Sequence, residues 1–113
     1  MAITTTVIIP AKIAENAQTT QYTSPAGVTT IIDKFTATNY GATTATLSVN
    51  LVTASDTAGN QNLVVKTLSL VAGQTYTFPE IVGQALEPTG FISTIASASN
   101  AINIRSNGRE ISN

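Results

Sequence analysis

The chain has 113 residues, a length that suits one domain with a single hydrophobic core. Charged residues make up 10% of it and the net charge is -1, which argues against the clustered basic surface that nucleic-acid binding requires. It contains no Cys, no His and no apolar run near the roughly 20 residues of a membrane-spanning helix, so we expect a soluble protein without thiol chemistry or the usual transition-metal ligands.

Thr, Val and Ile alternate with polar residues along most of the chain, a pattern that predicts β-strands and little helix. Residues 11–18 have no clear period, so the first part of the chain fits an extended arm as well as an edge strand. The predicted strands, in chain order, are residues 3–9, 18–23, 28–40, 44–52, 63–71, 75–78, 91–97, 101–106 and 109–112.

Residues 44–52 show the clearest alternation. Ala45, Leu47, Val49 and Leu51 fall on one face of this segment, and Thr, Ser and Asn fall on the other. This is the pattern of a strand with one face in the core and the other face in solvent.

Residues 28–40 form a longer predicted strand, in which Ile31, Phe35 and Ala37 share one face. The turn residues at 39–42 follow it directly. They predict an antiparallel hairpin between this strand and the next.

Two later segments carry turn signals. Apolar residues recur at a spacing of four after Pro79, which predicts a short helical turn near residues 79–87. Asn107-Gly108, flanked by strand-like runs, predicts a tight hairpin turn.

Together these elements predict an all-β, single-domain antiparallel β-sandwich, jelly-roll or immunoglobulin-like, with about eight strands. Residues 1–20 are assigned to an N-terminal arm or edge strand, and residues 21–113 to the β-sandwich domain.

Catalysis would have to use carboxylates, basic residues and tyrosines, because His and Cys are absent. Glu80 and Glu87 are a candidate glycosidase pair, although a helix-terminal charge and a solvated residue explain them more simply. The polar loop of residues 55–62 offers oxygen ligands for a weak calcium site but lacks the EF-hand spacing, and a polar hairpin loop is the simpler interpretation. We therefore expect no enzymatic activity, no cofactor and no catalytic or metal-binding residues.

Several side chains are instead candidates for contacts between proteins. Asp33 and Lys34 interrupt an apolar strand and either face solvent or cross an interface. Arg105 and Arg109 suit a carboxylate on a partner chain, because guanidinium groups bind carboxylates through two hydrogen bonds, or else an internal pair with Glu110 or Asp33. The predicted interface residues are Ile3, Val7, Ile9, Asp33, Lys34, Tyr40, Arg105, Arg109 and Glu110.

Three stretches of the chain resemble small virion proteins of tailed bacteriophages. In those proteins a Y-T-x-P-x-G turn leads into a strand ending in T-N, a P-E-x-V-G-Q-x-L-x-P-G segment follows, and R-x-x-G-x-E-I closes the chain. The matching stretches are QYTSPAG at residues 21–27 with TIIDKFTATN at 30–39, PEIVGQALEP at 79–88, and RSNGREI at 105–111. The final glycine of the second motif is displaced here to Gly90.

This resemblance implies a structural role and no reaction. The best-fitting member is a head decoration, or cement, protein that sits on the capsid surface and bridges neighbouring capsomers. The partners it implies are further copies of the chain, as a dimer or trimer, and a major capsid protein, with no nucleic acid, membrane or small-molecule substrate. The protein would be made in the host cytoplasm, since the chain starts without a secretory signal.

An alternative function is a tail or fibre accessory module that binds a host-surface glycan. In that role Tyr40 and residues 56–61 would touch the sugar. The scarcity of aromatic residues, 5% of the chain, weakens this alternative, because sugar-binding platforms usually contain exposed aromatic rings.

Overall fold

The computed structural model describes residues 1–112 and confirms the all-β, single-domain sandwich. Among these residues the only helical element is a 3₁₀ turn at Asn60–Asn62, and no helix has the length and apolar character needed to cross a membrane. The predicted sandwich domain ends at Asn113, which lies outside the described residues. The nine strands are β1 (Ala2–Ile13), β2 (Thr19–Thr23), β3 (Val28–Asn39), β4 (Ala45–Val52), β5 (Leu63–Leu70), β6 (Thr75–Thr77), β7 (Ala85–Leu86), β8 (Phe91–Ala96) and β9 (Ile102–Ser112).

The strands form two antiparallel sheets. Sheet one has the order β1-β9-β3-β6, and β7 pairs with another part of β3; sheet two has the order β2-β8-β4-β5. Strands β1 and β3 have 12 residues each and β9 has 11. At about 3.3 Å per residue, these three strands run along most of the molecule, which is 46 Å long.

The core lies between the two sheets. Phe35 of β3 and Phe78, just after β6, are fully buried and pack edge to face with ring centroids 5.0 Å apart. Burying one large apolar side chain stabilises the folded state by about 1.5–3 kcal/mol. A cluster of such side chains from both sheets therefore holds the sheets together. The fully buried aliphatic side chains around the two rings include Ile9, Ile32, Leu47, Val49, Leu70, Ile81, Ile92, Ile102 and Ile104.

The predicted alternation of β4 is confirmed on its apolar face, where every side chain is buried except Leu51, which is half-buried. Its polar face is covered as well, because the loop before β5 folds over it. Asn50 Nδ2 donates to the carbonyl of Gly59 (3.0 Å) and to Asn62 Oδ1 (2.8 Å). This loop is therefore held by hydrogen bonds to the sheet.

The predicted hairpin between β3 and β4 is wrong, because the two strands lie in different sheets. Residues 40–44 cross from one sheet to the other. The buried side chain of Asn39 holds this crossing: its Nδ2 donates to the carbonyls of Thr43 and Leu70 (2.8 Å each), and its Oδ1 accepts from the N–H of Gly41 (2.9 Å). Turn-forming residues suit this crossing as well as they suit a hairpin.

The predicted tight turn at Asn107-Gly108 is also wrong. Strand β9 runs unbroken through these residues and lies between β1 and β3 in the middle of sheet one. Gly108 fits there because a Cβ at this position would overlap the carbonyl oxygen of Ile31 on β3. The glycine thus allows two backbones to approach closely, as glycines within strands often do.

A β-bulge in β3 corrects the predicted faces of that strand. The register shifts between Ile32 and Lys34, so Asp33 is the extra residue opposite β9. As a result Ile32, and not Ile31, shares the buried face with Phe35, while Asp33 and Lys34 are both exposed.

The helical turn predicted near residues 79–87 is not a helix in the structure but a hydrogen-bonded turn at residues 79–83. The Val82 N–H donates to the carbonyl of Phe78 (3.1 Å), which is one bond of α-helical spacing, and Gly83 then leaves the turn with a φ of 89°. Gly83 bonds back to the carbonyl of Ile32 (2.7 Å), and β7 follows. Ile81, within the turn, is fully buried and covers the core on this side.

Candidate assembly interface at the edge of sheet one

Strand β1 lies at the margin of sheet one and pairs only with β9. Residues 2–6, which we call the free edge, run in continuous antiparallel register from Ala2 opposite Ser112 to Thr6 opposite Gly108. No other strand within residues 1–112 pairs with the outer side of this segment. Unpaired strand edges of this kind are templates for pairing with another chain.

Neither face of the free edge is covered. A half-buried strand alternates between buried and exposed positions. Residues 2–5 are all exposed instead, and the side chain of Ile3 is 57% exposed. The free edge therefore presents an open backbone margin and two open faces.

The second half of β1 has features that block strand addition. Its register with β9 shifts between Thr6 and Ile9 and again between Ile9 and Lys12, which marks two bulges. Pro10 lies within the second of these intervals, and Lys12 forms a salt bridge of 2.8 Å with Glu15 that lowers the pKa of this carboxyl group. Bulges, proline and lysine are common protections of natural edge strands.

The remaining sheet edges are short or irregular. Strand β5 carries the exposed Lys66, and the next residue, Thr67, has a positive φ of 44°. The register of β5 with β4 also shifts twice. Strand β2 has five residues and a register shift, β6 has three residues and β7 has two. Within residues 1–112, the free edge is thus the regular margin that is best suited to accept a strand.

A shallow groove of about 620 Å³ lies beside the free edge on the outer face of sheet one. Its lining includes Val7, Asp33, Arg105 and Asn107. Arg109 binds Asp33 through two nitrogens, Nε at 3.0 Å and Nη2 at 2.9 Å, and this contact raises the pKa of the guanidinium. Arg105 forms no salt bridge within residues 1–112, so its charge remains available to a partner.

The other predicted interface residues lie elsewhere. Ile9 is fully buried in the core of the chain, so its side chain is not at the surface. Lys34 is exposed beside Asp33. Tyr40 is 50% exposed in the crossing between the sheets, and Glu110 points between the sheets toward Tyr22.

Tyr22 and Glu110 connect the two sheets through a polar contact. The Tyr22 hydroxyl donates to Glu110 Oε2 at 2.6 Å and lies 2.8 Å from Thr30 Oγ1, which in turn lies 2.8 Å from Ser24 Oγ. Two causes raise the pKa of Tyr22 to about 12: burial of the phenol, which is the larger, and its hydrogen bond to the Glu110 carboxylate. The contact anchors β9 beside the free edge, because Glu110 pairs with Thr4.

We expect Tyr22→Phe to destabilise the protein by about 1–2 kcal/mol at neutral pH, because a half-buried acceptor loses its donor. The folded state keeps Tyr22 protonated above its ordinary value of 10.0, so this stabilisation is present below pH 10 and is lost as pH rises toward 12. Denaturant unfolding at pH 8 and pH 11 should therefore show a stability difference between the two proteins that narrows at the higher pH. The hydrogen bond to Glu80 also raises the pKa of Tyr76. Tyr76 is present in both proteins, so its titration does not affect the difference in stability between them. A difference independent of pH would contradict the expected role of the Tyr22 hydroxyl.

The residues of the alternative functions do not form a common site. Glu80 accepts a hydrogen bond from Tyr76 (2.9 Å) at the margin of sheet one, whereas Glu87 accepts one from the backbone of Ala54 (3.3 Å) after β4. Tyr40 precedes β4 and the loop of residues 55–62 follows it, so they start from opposite ends of that strand.

The loop of residues 55–62 is occupied by its own contacts. Asp56 Oδ1 accepts from the N–H of Thr57 at 2.8 Å, which lowers the pKa of the carboxyl group, and Gln61 and Asn62 donate to the carbonyl of Thr57. Residues 1–112 contain no cluster of three carboxylates that would hold a metal ion.

The interface residues predicted from the sequence include Ile3 of the free edge but none of the other residues of that edge. Ala2, Thr4 and Thr6 belong to it as much as Ile3 does, because strand pairing uses the backbone. A signal for them was present, since residues 2–6 contain no charge, proline or glycine and have high β-propensity.

No protein-family model matches the sequence, and a comparison with curated proteins gives no match. Among solved structures, the chain is similar to a subunit of Bacillus endospore appendages, which are described as a novel family of disulfide-linked pili. The TM-score is 0.57 and the identity 10%, over 97% of this chain and 88% of that one. At this identity the similarity concerns the fold alone, and it agrees with the two-sheet architecture.

A second similarity, to a chain in the structure of infectious bursal disease virus Gx strain, covers 99% of this chain and 42% of that one at 10% identity. Its TM-score of 0.34 is too low to support an inference about fold. The resemblance to bacteriophage virion proteins stays a prediction.

Proposed function

We propose that this protein is a structural virion protein of a tailed bacteriophage, a capsid decoration (cement) protein that bridges neighbouring capsomers on the head surface. The free edge is the observation that carries the proposal. Within residues 1–112 this strand margin is uncovered and the neighbouring Arg105 forms no salt bridge, which makes the edge a suitable site for an assembly contact. The proposal includes no catalytic step.

The composition of the surface also supports a role in an assembly. With 10% charged residues, the chain has fewer solvating groups than the usual share of about 25%. Individual contacts through such a surface can be weak, since many copies on one particle act together. Partners in this proposal are the major capsid protein and further copies of the chain.

The similarity in fold to a protein of Bacillus endospore pili supports the proposal of a role in an assembly. The Bacillus pili are disulfide-linked, whereas the present sequence has no cysteine. Contacts between copies of this protein would therefore be non-covalent, through backbone pairing and side-chain packing.

A particle-binding experiment tests the proposal. Purified protein is added to phage heads that lack it, and co-sedimentation and the temperature of DNA release are measured. Wild-type protein should co-sediment and raise the release temperature, whereas Ile3→Lys should do neither, because it places a charge on the free edge.

Val71→Lys is the matched control, since Val71 is as exposed as Ile3, at 57%, but lies just after β5, away from the free edge. This variant should bind like wild-type protein. Equal binding by both variants, or density confined to the tail in cryo-electron microscopy of complete particles, would contradict the proposal.

A further inference from the structure

We propose that the free edge pairs with the free edge of a second copy, antiparallel and about a two-fold axis at Thr4, so that two copies of sheet one form one continuous sheet. This dimer rests on the proposed function, in which the same edge carries an assembly contact, but it forms in solution without a particle. The occupant of the edge is thus a second copy of this chain.

The choice of partner follows from the other edges of the molecule. A head-to-tail contact would need a second regular margin. Strand β5 presents Lys66 and the positive φ of Thr67, the register of β2 shifts after Thr20, and β6 and β7 have only three and two residues. A contact between two identical edges needs only the free edge. Such contacts close on themselves, as expected for a dimer.

The register follows from the limits of the regular segment. Residues 2–6 are the part of β1 that pairs with β9 without a shift, and Thr4 is its centre. A two-fold axis at Thr4 places Thr4 opposite Thr4 of the second copy, Ile3 opposite Thr5, and Ala2 opposite Thr6. Moving the axis toward the C-terminal end would bring the bulge after Thr6 into the pairing.

Electrostatics permit this self-pairing. Residues 2–6 carry no charged side chain, so the antiparallel pair opposes no like charges. The next strand contributes Glu110, which would lie three strand spacings, or about 14 Å, from Glu110 of the second copy. That separation exceeds the Debye length of about 8 Å at physiological salt, so repulsion between the two carboxylates is largely screened. Arg109 is already paired with Asp33.

Side-chain chemistry favours the same arrangement. Threonine residues opposite each other on neighbouring strands can form hydrogen bonds, and a β-branched residue such as Ile3 packs well beside threonine. The pairing would also cover Ile3, one of the most exposed apolar side chains of the described chain.

Cysteine cross-linking tests both the partner and the register, because the chain has no cysteine of its own. Directly opposed residues of antiparallel strands have Cα atoms about 4.5–5.5 Å apart, within the range that a disulfide spans. Mild oxidation of Thr4→Cys should therefore give at least about tenfold more covalent dimer than Val71→Cys.

Two further variants test the register. In Ala2→Cys alone, the two cysteines of a dimer would be about 14 Å apart, so little cross-linking is expected, and the same holds for Thr6→Cys. A mixture of Ala2→Cys and Thr6→Cys should give the heterodimer. Circular dichroism of each variant confirms that it is folded before oxidation.

The dimer is overturned if folded Thr4→Cys cross-links no better than Val71→Cys, or if the Ala2→Cys and Thr6→Cys mixture gives no heterodimer. If cross-linking fails while wild-type protein, but not Ile3→Lys, binds particles, the edge binds a capsid protein and only the dimer is wrong. If cross-linking succeeds while no variant binds particles, the dimer stands and the virion function is wrong.

Discussion

Gly108→Ala should destabilise the protein by about 3 kcal/mol or more, a large fraction of the 5–15 kcal/mol that stabilises a typical domain. The added Cβ would overlap the carbonyl oxygen of Ile31 and would come within 3.3 Å of Ile32 Cα. Both are backbone atoms inside a paired strand, so no side chain can rotate to relieve the overlap. Strand β3 would have to move away from β9, in the middle of sheet one.

The free energy of unfolding, measured with urea, tests this expectation. Asn107→Ala is the matched control, because Asn107 lies next to Gly108 in β9 but its side chain is exposed, and it should change stability by no more than about 0.5 kcal/mol. Similar unfolding midpoints for the two variants would show that the bulge in β3 can absorb a methyl group.

The strands themselves could be predicted because their signal is local. In β4 the apolar side chains of Leu47 and Val49 are buried as their spacing predicts, although the polar face is covered too, and the boundaries of β3, β5 and β8 lie within two residues of those predicted. Alternation reports which face of a strand meets the core, and it depends only on neighbouring residues. It was therefore sufficient for the fold class.

The pairing of strands could not be predicted because it depends on contacts far apart in sequence. Asn39 and Gly108 both carry turn chemistry, yet one holds a crossing between sheets and the other lies inside a strand. In each case the deciding partner is distant, Leu70 for Asn39 and Ile31 for Gly108. The bulge at Asp33 has the same origin, since a one-residue shift is defined only against the paired strand.

The candidate interface was predicted in part. Apolar residues of β1 indicated a contact surface. The sequence could not separate exposed Ile3 from buried Ile9, because the bulge between Thr6 and Ile9 inverts the expected faces. Arg105 and Arg109 were equivalent in sequence. The structure distinguishes them through Asp33, which the bulge turns outward to meet Arg109.

Asn39 is the residue on which the crossing between the sheets depends most directly. Its side chain has no exposed surface and uses its amide as a donor to two carbonyls and its oxygen as an acceptor for one N–H. Only an amide of this size supplies two donors and an acceptor in that arrangement. Aspartate has nearly the same shape, but it would place a carboxylate oxygen where the amide nitrogen donates. That oxygen would repel the carbonyl oxygens of Thr43 and Leu70.

Asn39→Asp should therefore destabilise the protein by more than about 3 kcal/mol at pH 7, because it buries a carboxylate against the carbonyls of Thr43 and Leu70. Those carbonyls raise the pKa of the new carboxyl group in the folded state, so the loss should shrink as the pH falls and the protonated group regains one donor. Urea unfolding of the variant and wild-type protein between pH 7 and pH 4 measures this. Asn60→Asp, at an exposed asparagine, is the control and should change stability little at either pH. A loss of stability in Asn39→Asp that is small, or that does not depend on pH, would mean that the amide does not hold the crossing.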